Sequence, residues 1–207
     1  MTTLRTEAFE SQTARWPATG RHILAQFDDE SIVVYQAYRP AIGDFAAAHG
    51  KFGGEWSFDR MSWIKPNFLW MMYRCGWAAK DGQEVVLAIW LARELFDRIL
   101  AAAVPSSFDD RCYADRAAWQ TAVKRSDVRL QWDPDHGPRG QPLARRAIQL
   151  GLRGDMLAEF ATPRRIEDIT PFVREQRAAL DRDELVTPTE HVYPVATETA
   201  GRLGLAQ

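Results

Sequence analysis

The 207-residue sequence lacks most of the features that announce a function. Its two cysteines, Cys75 and Cys112, stand far apart and outside any C-x-x-C pattern, so neither a disulfide framework nor a structural zinc site is indicated, and a reducing cytoplasm is the expected setting. The four histidines, His22, His49, His136 and His191, form no H-E-x-x-H or close pair, and no metal centre is expected. No segment carries about 18 uncharged apolar residues in a row, and "MTTLRTEAFESQTARWPATG" has no continuous apolar core, so neither a membrane span nor export is expected. P-loop, G-x-G-x-x-G and G-x-S-x-G motifs are all missing. No repeat or Gly/Ser linker divides the chain, and residues 21–194 are read as one domain between flexible tails of residues 1–20 and 195–207.

What is present is a globular composition, 46% hydrophobic and 26% charged, with a net charge of −2. The cations are overwhelmingly arginine, whose planar fork suits bidentate recognition of phosphate or carboxylate. "HILAQF" and "SIVVYQAY" read as β-runs around the turn "DDE", and Pro40 then opens a helix that Gly50 stops. "RMSWI" is a short β-run before a second proline-opened helix, Pro66 to Cys75, stopped at Gly76. "EVVLAIWL" is almost wholly apolar, as a central strand buried on both faces would be. "ARELFDRILAAA" and "YADRAAWQTAVKR" read as helices and "DVRLQW" as a strand before the turn-rich "DPDHGPRGQP". "PLARRAIQLGLRGDMLAEF" and "IEDITPFVREQRAAL" read as helices. The expected fold is α+β: a compact single domain with a central mixed or antiparallel sheet from the first two thirds and helices around it.

The stretch "RMSWIKPNFLWMMYRCGW" concentrates aromatic residues beside cations. Phe68, Leu69, Trp70, Met71 and Met72 leave little polar face, the mark of a short helix buried in the domain centre. With Pro66 at the first helical position, Lys65 falls at the cap, where a cation opposes the helix dipole unless an anion sits between; a phosphate would remove the mismatch. The alternative is a solvated lysine whose stem covers Trp63.

Arg39 ends the first strong strand, Ser62 lies in the second and Glu84 opens the third. The order "VVYQAYR", "MSWI", "GQEVVLAI" is similar to the pattern of R-S-E mono-ADP-ribosyltransferases, and an ADP-ribosyltransferase-like split sheet is what that resemblance implies. It further implies NAD as co-substrate. Arg39 and Lys65 would hold phosphates, Tyr35 and Tyr38 would line the nicotinamide side, Gln36 and Asn67 would complete the cofactor site, and Ser62 would position ribose. Glu84 would stabilise positive charge on the ribose as nicotinamide leaves. Spacings here are short and the second motif lacks its usual serine-threonine-serine run. A structural Arg39–Glu84 ion pair is the competing reading.

Across the chain, "VYQAYRPAIGDFA", "RMSWIKPNFLWMMYRCGW", "GQEVVLAI", "QWDPDH" and "RRAIQLGLRG" together resemble the domain-of-unknown-function family 4291, from about Ile32 to Phe172. That resemblance implies a compact single domain and no particular reaction.

Arg139, Arg145, Arg146 and Arg153 occur without an intervening acid, the middle two on the expected helix, with Trp132 and His136 in the adjoining loop. Cation and stacking surface together would suit a nucleotide or single-stranded nucleic-acid acceptor, and solvated arginines are the alternative. Two other classes stay open: a non-catalytic nucleotide- or RNA-binding module, and a nucleotidyltransferase using Lys65 or Lys80.

Overall fold

The computed structural model describes residues 3–110, 112–182 and 184–205. The chain begins β1 (Thr6–Ala8), α1 (Phe9–Thr13), β2 (Gly20–Arg21), β3 (Leu24–Ala25), β4 (Ser31–Tyr38), α2 (Pro40–His49), β5 (Ser62–Ile64) and α3 (Phe68–Cys75). It continues with β6 (Val85–Ala92), α4 (Arg93–Ala102), β7 (Ala103–Pro105), α5 (Arg116–Arg125), β8 (Val128–His136) and β9 (Pro142–Leu152). The last part is α6 (Gly154–Phe160), β10 (Arg165–Asp168), α7 (Thr170–Ala179), β11 (Val186–Pro188), β12 (His191–Val192) and α8 (Thr197–Leu203). This is an α+β domain.

Two larger sheets carry the architecture. In the first, ordered β10-β6-β4, β6 is central and antiparallel to both neighbours, with Ser31 opposite Ala92 and Tyr38 opposite Val85. Strand alternation sends Val34, Leu87 and Ile89 into one apolar cluster with Leu150 and Phe160. It sends Val33, Tyr35, Val86 and Ala88 into another with Phe68, Met72 and Val173. Both faces are covered, which is why "EVVLAIWL" has no polar alternation.

The second sheet runs β2-β9-β8-β7, with β5 also pairing to β9, antiparallel, from Ser62 opposite Leu152 to Ile64 opposite Leu150. The two sheets are tied at Lys65. Tyr35 N–H donates to the Lys65 carbonyl at 2.7 Å and Lys65 N–H donates back at 3.3 Å. The segment from Ser62 to Lys65 therefore passes from one sheet to the other.

Helix α2 has Pro40 in its first turn and ends on Gly50 at φ 66°, as the sequence indicates. Within it Gly43 lies so close to β6 that an added Cβ would stand 2.5 Å from the Val85 side chain. Gly43→Ala is expected to cost about 1–3 kcal/mol through this overlap, read as a lower urea midpoint at unchanged slope.

Three expectations are corrected. Residues 142–152 are a strand, although Leu, Ala, Arg and Gln favour helix. A turn in which Gly137 N–H donates to Gln141 O at 2.9 Å pairs β9 with β8, and tertiary pairing outweighs the weak helical propensity. The start of "IEDITPFVREQRAAL" is likewise a strand, with helix only from Thr170. In the described part of the 1–20 segment, expected as a flexible tail, β1 pairs with β11 and Gln12 and Trp16 are buried, while α8 in the expected 195–207 tail buries Leu203. Single apolar residues anchor these short terminal elements, too few to show as a periodic pattern.

Candidate functional site

Where the sheets meet, a cavity of about 520 Å³ opens beside the ends of β4 and β5 and the exposed side of α3. Its wall includes Gln36, Tyr38, Arg39, Trp56, Ser62 and Trp63, together with Arg60, Lys65 and Arg74. Of the carboxylates, only Glu55 lines it, so the cavity is cationic within a chain of net charge −2.

Alternation on β4 decides which of its residues arrive. Gln36 and Tyr38 share the face toward β5, and there they close a hydrogen-bonded ring. Gln36 Nε2 donates to Ser62 Oγ at 2.7 Å, Ser62 Oγ lies 3.0 Å from the Tyr38 hydroxyl, and that hydroxyl donates to Gln36 Oε1 at 2.9 Å. Trp56 Nε1 donates into the ring at the Tyr38 oxygen, 3.0 Å away. Burial pushes the Tyr38 phenol up to about 12, so it stays a neutral donor. Tyr35, one residue out of phase, points the other way: it is fully buried edge-on against Phe68, and burial raises its phenol well above the ordinary value. The expectation that it lines a nicotinamide site is corrected on that ground.

Arg39 lies on the cavity wall and pairs with Glu55 at 2.6 Å, both half exposed, so its partner is Glu55 rather than the Glu84 of the competing reading. Such a pair contributes little to stability. Glu84 stands beside the cavity: Gly82 and Gln83 line it, whereas Glu84 accepts a hydrogen bond from Gly82 N–H at 2.8 Å through Oε1. Its Oε2 is buried and makes no hydrogen bond among the described residues.

Lys65 is 6% exposed and lines the cavity, yet its ammonium has a single long contact, 3.4 Å to the Trp63 carbonyl. Among the described residues it makes no ion pair. Burial lowers its pKa to about 8; Arg74 adds to that push and Asp133 and Cys75 oppose it.

The helix start is built differently from the sequence expectation. Asn67, not Pro66, leads into α3 as its cap, and its Oδ1 accepts from Trp70 N–H at 2.7 Å. The acceptor at this N-terminus is the protein's own Glu190 carboxyl. Its Oε1 accepts from Phe68 N–H at 2.6 Å and its Oε2 from Asn67 Nδ2 at 3.0 Å. Asn67 is therefore a structural cap and not a wall of the cavity, and the place of the phosphate expected at this helix end is taken by the Glu190 carboxyl on Phe68 N–H. Lys65 is left to face the cavity.

The arginine patch does not assemble. With residues 142–152 in a strand, successive arginines take opposite faces: Arg145 is buried in an ion pair with Asp135 at 2.5 Å, and Arg146 is exposed. Arg145 also donates to Pro17 O at 2.7 Å. Arg153 donates to the carbonyls of Lys124 and Ser126 at the end of α5. Arg139 reaches Leu180 O at 2.6 Å. Trp132 donates to Leu203 O, and His136 is buried under Tyr73 with ring centroids 3.5 Å apart. Arg145→Ala is expected to cost about 3–5 kcal/mol because Asp135 would be left buried and unpaired, and Arg146→Ala within about 0.5 kcal/mol. Urea unfolding of the two variants separates them.

Reasoning from sequence missed Arg60, Trp56 and Glu190 as parts of this region. Arg60 and Arg74 flank the aromatic stretch and could have been marked from it; Glu190 lies 122 positions from Phe68 and carried no local signal.

Fold and cavity define the class: an α+β domain with a cationic, aromatic-walled cleft at the junction of two sheets. Among the described residues no group of three or more His, Cys, Asp or Glu is placed to hold a metal ion, and no helix is long and apolar enough to cross a membrane. The chain belongs to the family described as Domain of unknown function (DUF4291), whose sequence model matches residues 22–196. No curated protein matches it.

Proposed function

We propose that the cleft binds a phosphate-bearing nucleotide, NAD first among the candidates, and that the chain is an ADP-ribosyltransferase-like enzyme that passes ADP-ribose to a nucleobase or another nucleophile. The observation that carries this reading is the cavity wall itself. Arg39, Arg60, Lys65 and Arg74 face one acid across a space of nucleotide size, with Tyr38, Trp56 and Trp63 as stacking surface. Arginine forks suit the diphosphate, and the Gln36–Ser62–Tyr38 ring offers remaining lone pairs to ribose hydroxyls. Glu84, next to the cavity-lining Gln83, has one buried carboxylate oxygen without a hydrogen bond among the described residues and would complement positive charge developing on ribose.

Nicotinamide release tests the reaction. Wild type is expected to release nicotinamide from NAD, and Glu84→Gln to bind NAD with similar affinity while losing roughly a hundredfold in turnover, the scale of a lost electrostatic stabiliser. NAD binding without any release from wild type would replace the enzyme with a nucleotide-binding module, and Glu84→Gln with undiminished turnover would remove Glu84 from the reaction.

A further inference from the structure

We propose that Lys65 is a covalent nucleophile, its amine attacking the ribose carbon that carries nicotinamide and holding ADP-ribose on the enzyme until an acceptor takes it. This rests on the NAD reading above and adds a two-step, double-displacement course to it.

Attack on that carbon requires an available electron pair within the cavity. Among the cavity-lining groups, Ser62 Oγ and the Tyr38 hydroxyl are engaged in the ring with Gln36, and Glu55 is paired with Arg39. Lys65 alone combines deep burial with an almost unengaged polar atom, its only hydrogen bond among the described residues being the 3.4 Å contact to Trp63 O. A desolvated lysine beside a second cation, here Arg74, is an activated amine, because both influences favour the neutral form. Arginine in the same place would stay charged and carry no lone pair. The backbone of Lys65 is fixed on both sides, by Tyr35 in one sheet and, through Ile64, by Leu150 in the other, so the side chain starts from a rigid base.

In the first step the Nζ lone pair forms a bond to the ribose carbon, the bond from that carbon to the nicotinamide nitrogen breaks, and its electron pair neutralises the pyridinium ring. Nicotinamide leaves neutral, and Nζ gives up one proton to solvent. In the second step Nζ takes the proton that the acceptor's nucleophile gives up and leaves as the neutral amine while that nucleophile bonds to the ribose carbon. No oxidant or reductant is needed.

The chain's lysines are Lys51, Lys65, Lys80 and Lys124, and the other three are exposed, so an adduct is readily located. The experiment incubates the full chain with NAD and no added acceptor, quenches in denaturant with borohydride, and maps the peptides by mass, beside Lys65→Arg and a parallel incubation with ATP. One ADP-ribosyl group on Lys65, together with a Lys65→Arg variant that still binds NAD by calorimetry but releases nicotinamide at least a hundredfold more slowly, is the expected result. Release by Lys65→Arg at the wild-type rate, or an unmodified Lys65 in turning-over wild type, overturns the lysine step and leaves the transferase reading standing. Absence of both NAD binding and nicotinamide release overturns both. A nucleoside monophosphate attached to Lys65 from ATP, with none from NAD, also overturns both and makes the chain a nucleotidyltransferase.

Discussion

Lys65→Met is expected to make the protein more stable and to weaken its hold on a nucleotide. The lysine is buried beside Arg74, with one long hydrogen bond, and burial first, then Arg74, disfavours its charged form and lowers its pKa to about 8 from an ordinary 10.5. That difference corresponds to about 3 kcal/mol at most. Methionine fills a similar volume without a charge, so a gain of about 1–3 kcal/mol is expected at pH 7, or about 2–12 °C in melting temperature at this chain length. The sign with pH follows from proton binding. Between about pH 8 and 10.5 the unfolded chain keeps a proton on the lysine that the folded chain has lost, so wild-type stability rises with pH across that window. The advantage of Lys65→Met should therefore be full below pH 8 and fade by about pH 10.5. Differential scanning calorimetry from pH 6 to 10.5 measures it. A functional group held at a cost in stability is the pattern expected of a site.

Glu190→Ala should act in the opposite direction. Its carboxyl oxygens accept from the Phe68 N–H and the Asn67 amide, and Asn67 is oriented by the bond from Trp70 N–H to its other side, so the amide cannot turn to compensate. The same residue joins the terminal segments to the core: its N–H donates to Gln12 Oε1 and its carbonyl accepts from Trp16 Nε1. Alanine keeps those backbone bonds but leaves two buried donors unsatisfied and a void. A loss of about 2–4 kcal/mol is expected, lowering the melting temperature by about 4–16 °C. Burial pushes the Glu190 carboxyl up to about 8, against the two hydrogen bonds that favour its ionised form. From about pH 4.5 to 8 the folded chain retains a proton that the unfolded chain has lost, so this residue makes wild-type stability fall as pH rises through that range. Glu190→Ala should lack that slope, which denaturant midpoints at pH 5 and pH 8 would show.

Much of the first sheet was legible because its physics is local. An uninterrupted apolar run marked β6 as covered on both faces, and proline and glycine marked the ends of α2. Arg39 and Ser62 were selected from the predicted strands, Gln36 and Tyr38 from the motif on the first of them and Lys65 from a helix start, and the structure brings them to one cavity. Tyr35 was misplaced although period-two alternation already put it opposite Gln36 and Tyr38. The β9 strand was hidden by helix-favouring residues whose partner strand decides their conformation, and the arginine patch disappeared with the helix that was to display it. Glu190 was out of reach for a different reason: the need it meets, the open N–H groups of α3, was visible, but nothing nearby in sequence identified a carboxylate more than a hundred residues away as the group that meets it.

Binding of an anionic nucleotide in the cleft beside Lys65 is what the proposed function requires. Its most direct test is isothermal titration of NAD into wild type, Arg74→Ala and Lys65→Met at low and moderate salt. One site per chain is expected, weakened by salt and weakened roughly tenfold or more, about 1.4 kcal/mol, by each substitution. Absence of binding to a folded wild type, or binding that neither substitution alters, would contradict the account.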